Sequence, residues 1–390
     1  MLKKVLTTLM ILIILVLFAL TWYSSRRTEQ LFIAQIETIN NSYPHLIQIH
    51  LENYQRHLFV SQARTKISTA RQELTLNHQI RHFLWGMTIT SSLAEDSGLA
   101  IQLAEKIPIA QLTLVSDINF KGTVKSRLEF PGESLSAADG SFELSGLKFN
   151  WQPDEVSISP NFELKLKKLV LGQNQRAIRL ADLTFRASSY LENETYSNTG
   201  ALHISRLDLA GEQLHNGRIT LKLSGLRQKS LQELAVQLQR MVTSGQAASP
   251  QTQFDLLALY AEILKSGLTL KLEELLLESA RGKLIGTGLL ILQPTDDFLE
   301  ALVSMSNINA GFQLALNRDI FKTGYRLVNN FPDDSGGFHQ PPAVLDEKAE
   351  QLIEKLIAQG IFTKQQETGR FGIDFSFSGG EASLNGRVVN

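Results

Sequence analysis

The chain has 390 residues, a formal net charge of −1 and no cysteine. The lack of cysteine excludes disulfides, thiolate catalysis and cysteine-ligated metal centres. Lys3 and Lys4 are the only charged residues among the first 23, and the remaining 36 basic residues face 39 acidic ones. That balance offers no clustered basic excess, so we expect no nucleic-acid partner.

The first predicted element is the uncharged stretch from Val5 to Tyr23, filled mainly with Leu, Ile, Val, Met and Phe. About 20 such residues in a helix cross the roughly 30 Å hydrocarbon core of a bilayer. Trp22 and Tyr23 stand where interfacial aromatic residues are expected, and small residues of a cleavage site do not precede them. We predict an uncleaved signal anchor, a single transmembrane helix, over residues 5–23.

This anchor sets the predicted domains and location. Residues 1–4 form a cytoplasmic amino terminus, and residues 24–390 form a β-rich body in the periplasm of a bacterial inner-membrane protein. Residues 28–40 have helical periodicity and continue the anchor as a short amphipathic helix. Residues 41–44 break this helix, and residues 46–52 alternate as a strand.

Two short motifs follow that strand, and a third lies at the carboxyl end. A Y-x-R-x-x-F-x-S pattern occupies Tyr54, Arg56, Phe59 and Ser61. A further strand ends on Arg81-His82-Phe83, and the last hairpin closes on Leu384-Asn385-Gly386.

Together with the anchor, these motifs resemble the YdgA-like family of bacterial inner-membrane proteins, which is described only as a domain of unknown function. The second family motif is H-G-P, of which this chain keeps the histidine. The resemblance implies a periplasmic body on an inner-membrane anchor and lends no catalytic residue. It marks seven positions of unknown role: Tyr54, Arg56, Phe59, Ser61, His82, Asn385 and Gly386.

The middle of the chain, from Leu112 to Leu223, shows repeated period-two alternation of apolar and polar residues. One apolar and one solvated side are typical of antiparallel strands. Turn-rich breaks separate these segments, as a meander requires. Strands are predicted again at residues 268–277, 283–292, 312–316 and 371–377, with a terminal hairpin turn at residues 378–380.

Helices interrupt this pattern in several places. Residues 228–267 are predicted to insert a helical hairpin, and residues 296–304 a short helix. Residues 318–328 and 343–359 carry further amphipathic helices, separated by a Gly- and Pro-rich loop over residues 329–342. The predicted fold class is α+β, a large, mostly antiparallel, twisted sheet packed against amphipathic helices and preceded by one transmembrane helix.

Two histidine patterns invite a chemical interpretation. His78 and His82 are four residues apart, but a strand would separate them by about 13 Å, too far to share one metal. Ser61 and His57 lack a G-x-S-x-G elbow and a carboxylate placed to orient the histidine. We interpret His78 and His82 as structural or surface residues, and we explain Ser61 by packing and hydrogen bonding. We predict no metal site and no cofactor.

Glycine and aspartate clusters receive the same interpretation. Gly282, Gly286 and Gly288 fit no phosphate-loop spacing and lie within a strand pattern, where β-bulges or close backbone approach explain them. The acid pair at residues 296–297 opens a predicted helix, and the pair at residues 333–334 lies in a predicted loop.

Three functional hypotheses remain. The first is a non-enzymatic envelope protein, a scaffold or interaction module, which contacts the bilayer through its anchor and has an envelope protein as its partner. The second is a lipid-binding or lipid-transfer protein that uses an incompletely covered apolar sheet face as a groove. The third, and weakest, is a hydrolase, since no nucleophile, metal or acid–base set stands out.

Overall fold

The computed structural model describes residues 2–42, 48–68, 73–83, 85–97, 113–121, 123–130, 135–136, 142–152, 161–172, 177–209, 211–230, 233, 267–295, 306–330, 340–365 and 369–389. Its described side chains begin at Leu20. The chain divides into two compact units. Unit 1 comprises Met1–Ala138 with Gly146–Pro153, and unit 2 comprises Asp139–Ser145 with Asp154–Asn390.

Strands dominate the described residues. They are β1 (Gln48–Gln55), β2 (Val60–Ser68), β3 (Glu73–Phe83), β4 (Gly86–Leu93), β5 (Thr113–Asn119), β6 (Val124–Glu129), β7 (Leu135–Ser136), β8 (Phe142–Ser145), β9 (Lys148–Gln152), β10 (Asn161–Leu171), β11 (Ile178–Glu192), β12 (Thr195–Leu209), β13 (Glu212–Arg227), β14 (Leu268–Ser279), β15 (Lys283–Leu292), β16 (Ile308–Leu316), β17 (Thr363–Lys364), β18 (Phe371–Ser378), β19 (Glu381–Leu384) and β20 (Arg387–Val389). The longer helices are α1 (Leu2–Ser42), α2 (Arg318–Asn330) and α3 (Pro342–Ala358).

Unit 1 is an antiparallel meander packed against α1. Strands β1 to β6 pair in chain order, and β9 pairs with β6. On α1, Ser25, Thr28 and Phe32 are buried and Ile36 is half-buried, which is the spacing of one helical face. This face packs on the buried side of the sheet around Ile80. The amphipathic helix predicted over residues 28–40 is therefore confirmed.

Unit 2 is a second antiparallel meander. β8 pairs with β10, and β10 to β16 pair in chain order. β16 then pairs with β18, which also binds β17 and β19, and β20 pairs with β19. Helices α2 and α3 follow β16 in the chain, and their apolar sides meet the sheet in a core that contains Leu316, Ile320, Ile353 and Phe371.

The unit 2 sheet has one apolar and one polar face. Residues opposite one another on neighbouring antiparallel strands share a face, and two such rows cross strands β13 to β18. One row is Leu223, Leu270, Leu290, Ala310 and Phe377, and the next is Leu221, Leu272, Gly288, Phe312 and Phe375. The opposite face carries polar rows such as Lys222 with Lys271 and Gln313 with Asp374.

Helices α2 and α3 cover one end of this apolar face. They pack on the row formed by Leu277, Leu284, Leu316 and Phe371. At the other end, Leu221 keeps 42% of its surface exposed and Leu270 keeps 36%. Within the part of the chain that the structure describes, the apolar face is thus covered at one end and accessible at the other.

Charged side chains hold α2 and α3 to the sheet. The Arg326 guanidinium on α2 bonds Asp346 on α3, and its Nη2 lies 3.0 Å from Glu212 Oε2 on β13. Arg326 and Glu212 keep 18% and 25% of their side-chain surface exposed, so this pair is partly shielded from water, whereas Asp346 keeps 38% exposed. The helix pair therefore has polar as well as apolar attachment to the sheet.

Local sequence explains where α3 and the last hairpin begin and end. Pro342 stands in the first turn of α3, where its missing N–H has no helical partner to lose. Gly360, with φ of 74°, follows the helix in the left-handed conformation of a C-cap. Gly379 and Gly380, with φ of 59° and 85°, supply the two positive φ angles of a type I′ hairpin turn between β18 and β19.

Most predicted elements are confirmed. The large antiparallel sheet with few helices matches the predicted α+β class, the predicted helices near residues 318 and 343 are α2 and α3, and His78 lies on a strand. Gly286 and Gly288 lie on β15, where an added Cβ would meet Leu314 and Phe312 at 3.1 and 3.2 Å. Close approach of the neighbouring strand therefore accounts for these two glycines, as predicted.

Several predictions lie outside the described residues. They are most of the hairpin at residues 228–267, the helix at residues 296–304, residues 331–339 of the predicted loop, and both acid pairs. Most of the predicted anchor, up to residue 19, has no described side chains, although its backbone continues α1. In the residues searched, no helix combines the length and hydropathy needed to cross a bilayer.

Replacing Ile353 on α3 by alanine should lower the free energy of unfolding by about 2–5 kcal/mol, because it deletes a side chain with 0% exposure from the core. Val344→Ala on the same helix is the matched control, since Val344 is 41% exposed and its truncation should cost less than about 0.5 kcal/mol. Urea denaturation followed by circular dichroism measures both. Equal losses would contradict the placement of α3.

Candidate functional site

The motif residues of unit 1 come together because consecutive strands bring them to one end of one sheet face. Tyr54 lies near the end of β1, Ser61 near the start of β2, and His82 near the end of β3. Ser61 pairs with Ile80, two residues before His82, and Tyr54 pairs with Ala63, two residues after Ser61. Alternation therefore points all three side chains to the face that α1 covers.

Ser61 and His82 are the centre of this cluster. Ser61 Oγ lies 2.8 Å from His82 Nε2 and also accepts the backbone N–H of His57 at 3.1 Å. The backbone N–H of His82 donates to the Phe59 carbonyl at 3.0 Å. Ser61 is 0% exposed and His82 is buried beside it. The histidine side chain that faces Ser61 is therefore His82, whereas His57 reaches Ser61 only through its backbone.

Helix α1 is fastened to the same turns by polar contacts. Ser24 Oγ donates to the Phe83 carbonyl at 2.6 Å, and Ser25 Oγ donates to the His57 carbonyl at 2.9 Å. Arg56 Nη1 lies 3.2 Å from Glu29 Oε2. Ser24 and Ser25 are themselves buried, each with 2% of its surface exposed, so these hydrogen bonds are costly to lose. Sequence reasoning missed Ser24 and Ser25, since two serines in a helix carry no signal of their distant partners.

A second buried histidine, His78, lies on the same strand and face as His82, with Ile80 between them. His78 Nε2 is 2.7 Å from Thr65 Oγ1, and His78 Nδ1 is 2.8 Å from Ser91 Oγ. The Phe32 ring of α1 meets the imidazole edge-on, with the ring centroids 5.5 Å apart. Burial lowers the pKa of His78 from 6.5 to about 4 and lowers the pKa of His82 as well. Both imidazoles are therefore neutral at pH 7.

The Ser61–His82 pair lacks two features of an activated serine. In a serine nucleophile, an acceptor orients the histidine through its other ring nitrogen, but His82 Nδ1 has no hydrogen-bond partner in the described part of the chain. Ser61 also has no exposed surface for a substrate to reach. This geometry fits a buried structural pair. Among the residues searched, no three His, Asp or Glu side chains converge as a metal site would require.

The carboxyl-terminal motif serves a comparable purpose in unit 2. Asn385 Nδ2 donates to the carbonyls of Gly360 and Ile361 at 2.8 and 2.9 Å, just beyond α3. Its Oδ1 accepts the Asp374 N–H of β18 at 2.8 Å. Asn385 and Gly386 have φ of 51° and 76°, left-handed values that suit Asn and Gly. Asn385 thus joins the end of α3 to the terminal hairpin.

Burial separates the motif residues into two groups. Ser61 and His82 are buried, and Tyr54 is half-buried, which raises the pKa of its phenol above the usual value. Phe59, in contrast, keeps 64% of its surface exposed in the β1–β2 turn. Hydrogen bonding accounts for Ser61 and His82, and packing against the core accounts for the Tyr54 ring. Packing inside unit 1 does not explain Phe59.

Comparison with known proteins gives one family match. A family model described as a bacterial protein of unknown function (DUF945) matches residues 1–162 and 161–390. No curated protein and no solved structure matches the chain.

Stability should fall with acidification because of His78. Its pKa is about 4 when folded and 6.5 ordinarily, so between these values the unfolded chain binds more protons and stability is lost as the pH falls from 6.5 toward 4. The loss from this residue should approach about 3 kcal/mol at pH 4. Urea titrations across this range should give a shallower pH dependence for His78→Gln than for the parent or for His50→Gln, an exposed control. Parallel curves would contradict a neutral buried imidazole.

Ser61 and His82 should be energetically coupled. Ser61→Ala leaves the His57 N–H and the His82 ring without a partner and should cost about 1–3 kcal/mol. After His82→Leu, the same serine substitution should cost less, with a coupling energy of about 0.5–3 kcal/mol in a double-mutant cycle. Ser92→Ala, on the opposite face of β4, is the control and should be nearly neutral. Additive effects would show that the contact is not formed.

Proposed function

This chain belongs to the DUF945 family of bacterial proteins of unknown function, and from that premise we propose that it is a non-enzymatic protein of the cell envelope. It is held in the inner membrane by an uncleaved anchor over residues 5–23, as in the YdgA-like proteins it resembles, with its body in the periplasm. The body acts as a scaffold or interaction module.

One observation carries this proposal. The buried motif residues of unit 1 lie against α1, and the turns that hold them bind Ser24 and Ser25 at the point where the uncharged stretch ends. A helix that continues unbroken from an anchor and packs against a sheet fixes the position of that sheet relative to the bilayer. Fixed attachment is what a scaffold needs. A catalytic motif would instead present a solvent-accessible nucleophile, which Ser61 is not.

The apolar face of unit 2 supports a second candidate, lipid binding or transfer. Two rows of apolar side chains continue past the end that α2 and α3 cover, and Leu221 and Leu270 are exposed there. A contiguous exposed apolar face binds an apolar partner, whether a protein surface or an acyl chain. A hydrolase has the least support, since the Ser61–His82 pair lacks an orienting acceptor among the described residues.

Site-specific photocrosslinking in bacterial cells separates these candidates. A photoreactive phenylalanine analogue replaces either Leu270 on the apolar face or its neighbour Lys271, whose exposed side chain points to the polar face. We expect Leu270, and not Lys271, to crosslink one defined envelope protein in carbonate-washed membranes, because Leu270 lies within contiguous apolar rows.

Each other outcome has a distinct meaning. A phospholipid adduct confined to position 270 would establish the lipid-binding alternative. Equal crosslinking at both positions, or none at either, would contradict a binding role for the apolar face. Loss of the chain from carbonate-washed membranes would overturn the anchor, whatever the crosslinking pattern.

A further inference from the structure

Three turns of unit 1 gather at the end of the sheet where α1 arrives. Successive antiparallel strands place alternate turns at the same end, which here brings together the β1–β2, β3–β4 and β5–β6 turns. Ser24 on α1 bonds the carbonyl of Phe83, at the β3–β4 turn, and Ser25 bonds the carbonyl of His57, in the β1–β2 turn. The part of α1 around Ser24 and Ser25 is therefore fixed against these turns.

These turns expose large aromatic side chains. Trp85 is 71% exposed, Phe59 is 64% exposed, and the Phe83 and Trp85 rings stack with centroids 5.7 Å apart. On α1, Trp22 and Tyr23 are exposed two residues and one residue before Ser24. Exposed aromatic residues on two turns and on the adjoining helix thus share one end of unit 1.

The charged residues at this end are mainly basic. Exposed cations come from the turns and the strands beside them: Arg81, Lys121 and Lys125. Arg56 is already paired with Glu29. The Asp117 carboxylate, which accepts a hydrogen bond from Thr88, lies opposite Lys125 on the neighbouring strand and offsets one of the three cations, so a basic excess remains. Aromatic rings with amphipathic edges, flanked by exposed cations, match the head-group region of an anionic bilayer.

We propose that this turn surface, formed by Phe59, Phe83 and Trp85 with Lys121 and Lys125, lies on the membrane interface and binds anionic phospholipid head groups. The inference rests on the proposed anchor. If residues 5–23 cross the bilayer, the interface falls at Trp22 and Tyr23, and the Ser24–Phe83 hydrogen bond brings the β3–β4 turn to the same depth. The rings enter the interface, and the lysines meet the phosphates.

Tryptophan fluorescence in vesicles tests this placement with the full-length chain. The protein has three tryptophans, so W22F with W151F leaves Trp85 as the only reporter, and W85F with W151F leaves Trp22. Each variant is reconstituted into phosphatidylglycerol-containing vesicles in which the lipid is brominated near the head-group end of its acyl chains. We expect Trp85 to lose the same fraction of its fluorescence as Trp22.

A tryptophan at the opposite end of the sheet is the matched control. Gln48→Trp, in a chain with its other tryptophans replaced by phenylalanine, puts an exposed reporter at the start of β1, about 23 Å from the turn end of that strand. Its fluorescence should be unchanged by brominated lipid. Circular dichroism of every variant verifies that the fold is retained.

The outcomes separate this inference from the anchor. Quenched Trp22 with unquenched Trp85 would overturn the interfacial surface and leave the anchor standing, with a protein partner or a second copy of the chain as the occupant of the turns. Unquenched Trp22, or failure of the protein to float with the vesicles, would overturn the anchor and this inference together. Equal quenching in vesicles without anionic lipid would overturn the head-group charge contact.

Discussion

A sheet with one apolar face is stable in water only where another element covers that face, and this constraint shapes both units. In unit 1 the cover is α1, whose buried residues recur with helical spacing. One of them, Phe32, belongs to the core of the sheet. In unit 2 the cover is the α2–α3 pair, centred on Ile353. Each helix is long enough to cover part of a sheet, so its position relative to the strands determines which surfaces remain available for binding.

Polar contacts set that position. The amount of apolar area that a helix buries changes little when the helix shifts slightly along a sheet. A buried hydrogen bond, in contrast, is lost by a shift of about 1 Å. The Ser61–His82 pair, the serines of α1, the Arg326 contacts and Asn385 all act at such junctions. Most of the motif residues thus specify where elements meet, and chemistry at those residues is not needed to explain them.

Two exposed surfaces are therefore the candidates for the functional sites of this protein. The unit 2 sheet offers an apolar face that α2 and α3 cover only at one end, and unit 1 offers aromatic rings and cations at the turns beside α1. Exposed apolar and aromatic groups lower the solubility of a protein, so their concentration in two places is informative. These two surfaces are the reason for proposing that the protein acts by binding other molecules and not by catalysis.

The sequence by itself determined the antiparallel sheet, the helices near residues 318 and 343, and the helical face of residues 28–40, because period two and period 3.6 are local properties of the chain. The resemblance to the YdgA-like family, in turn, marked Tyr54, Ser61, His82 and Asn385 as positions to explain. Only the tertiary structure decided that Ser61 meets His82, since strand register joins residues 21 positions apart and no local pattern encodes a partner. The hydrogen-bond partners of Ser24 and Asn385 also could not be predicted from the sequence. They lie 59 and 25 residues away in the chain, and these contacts exist only after the sheet has formed.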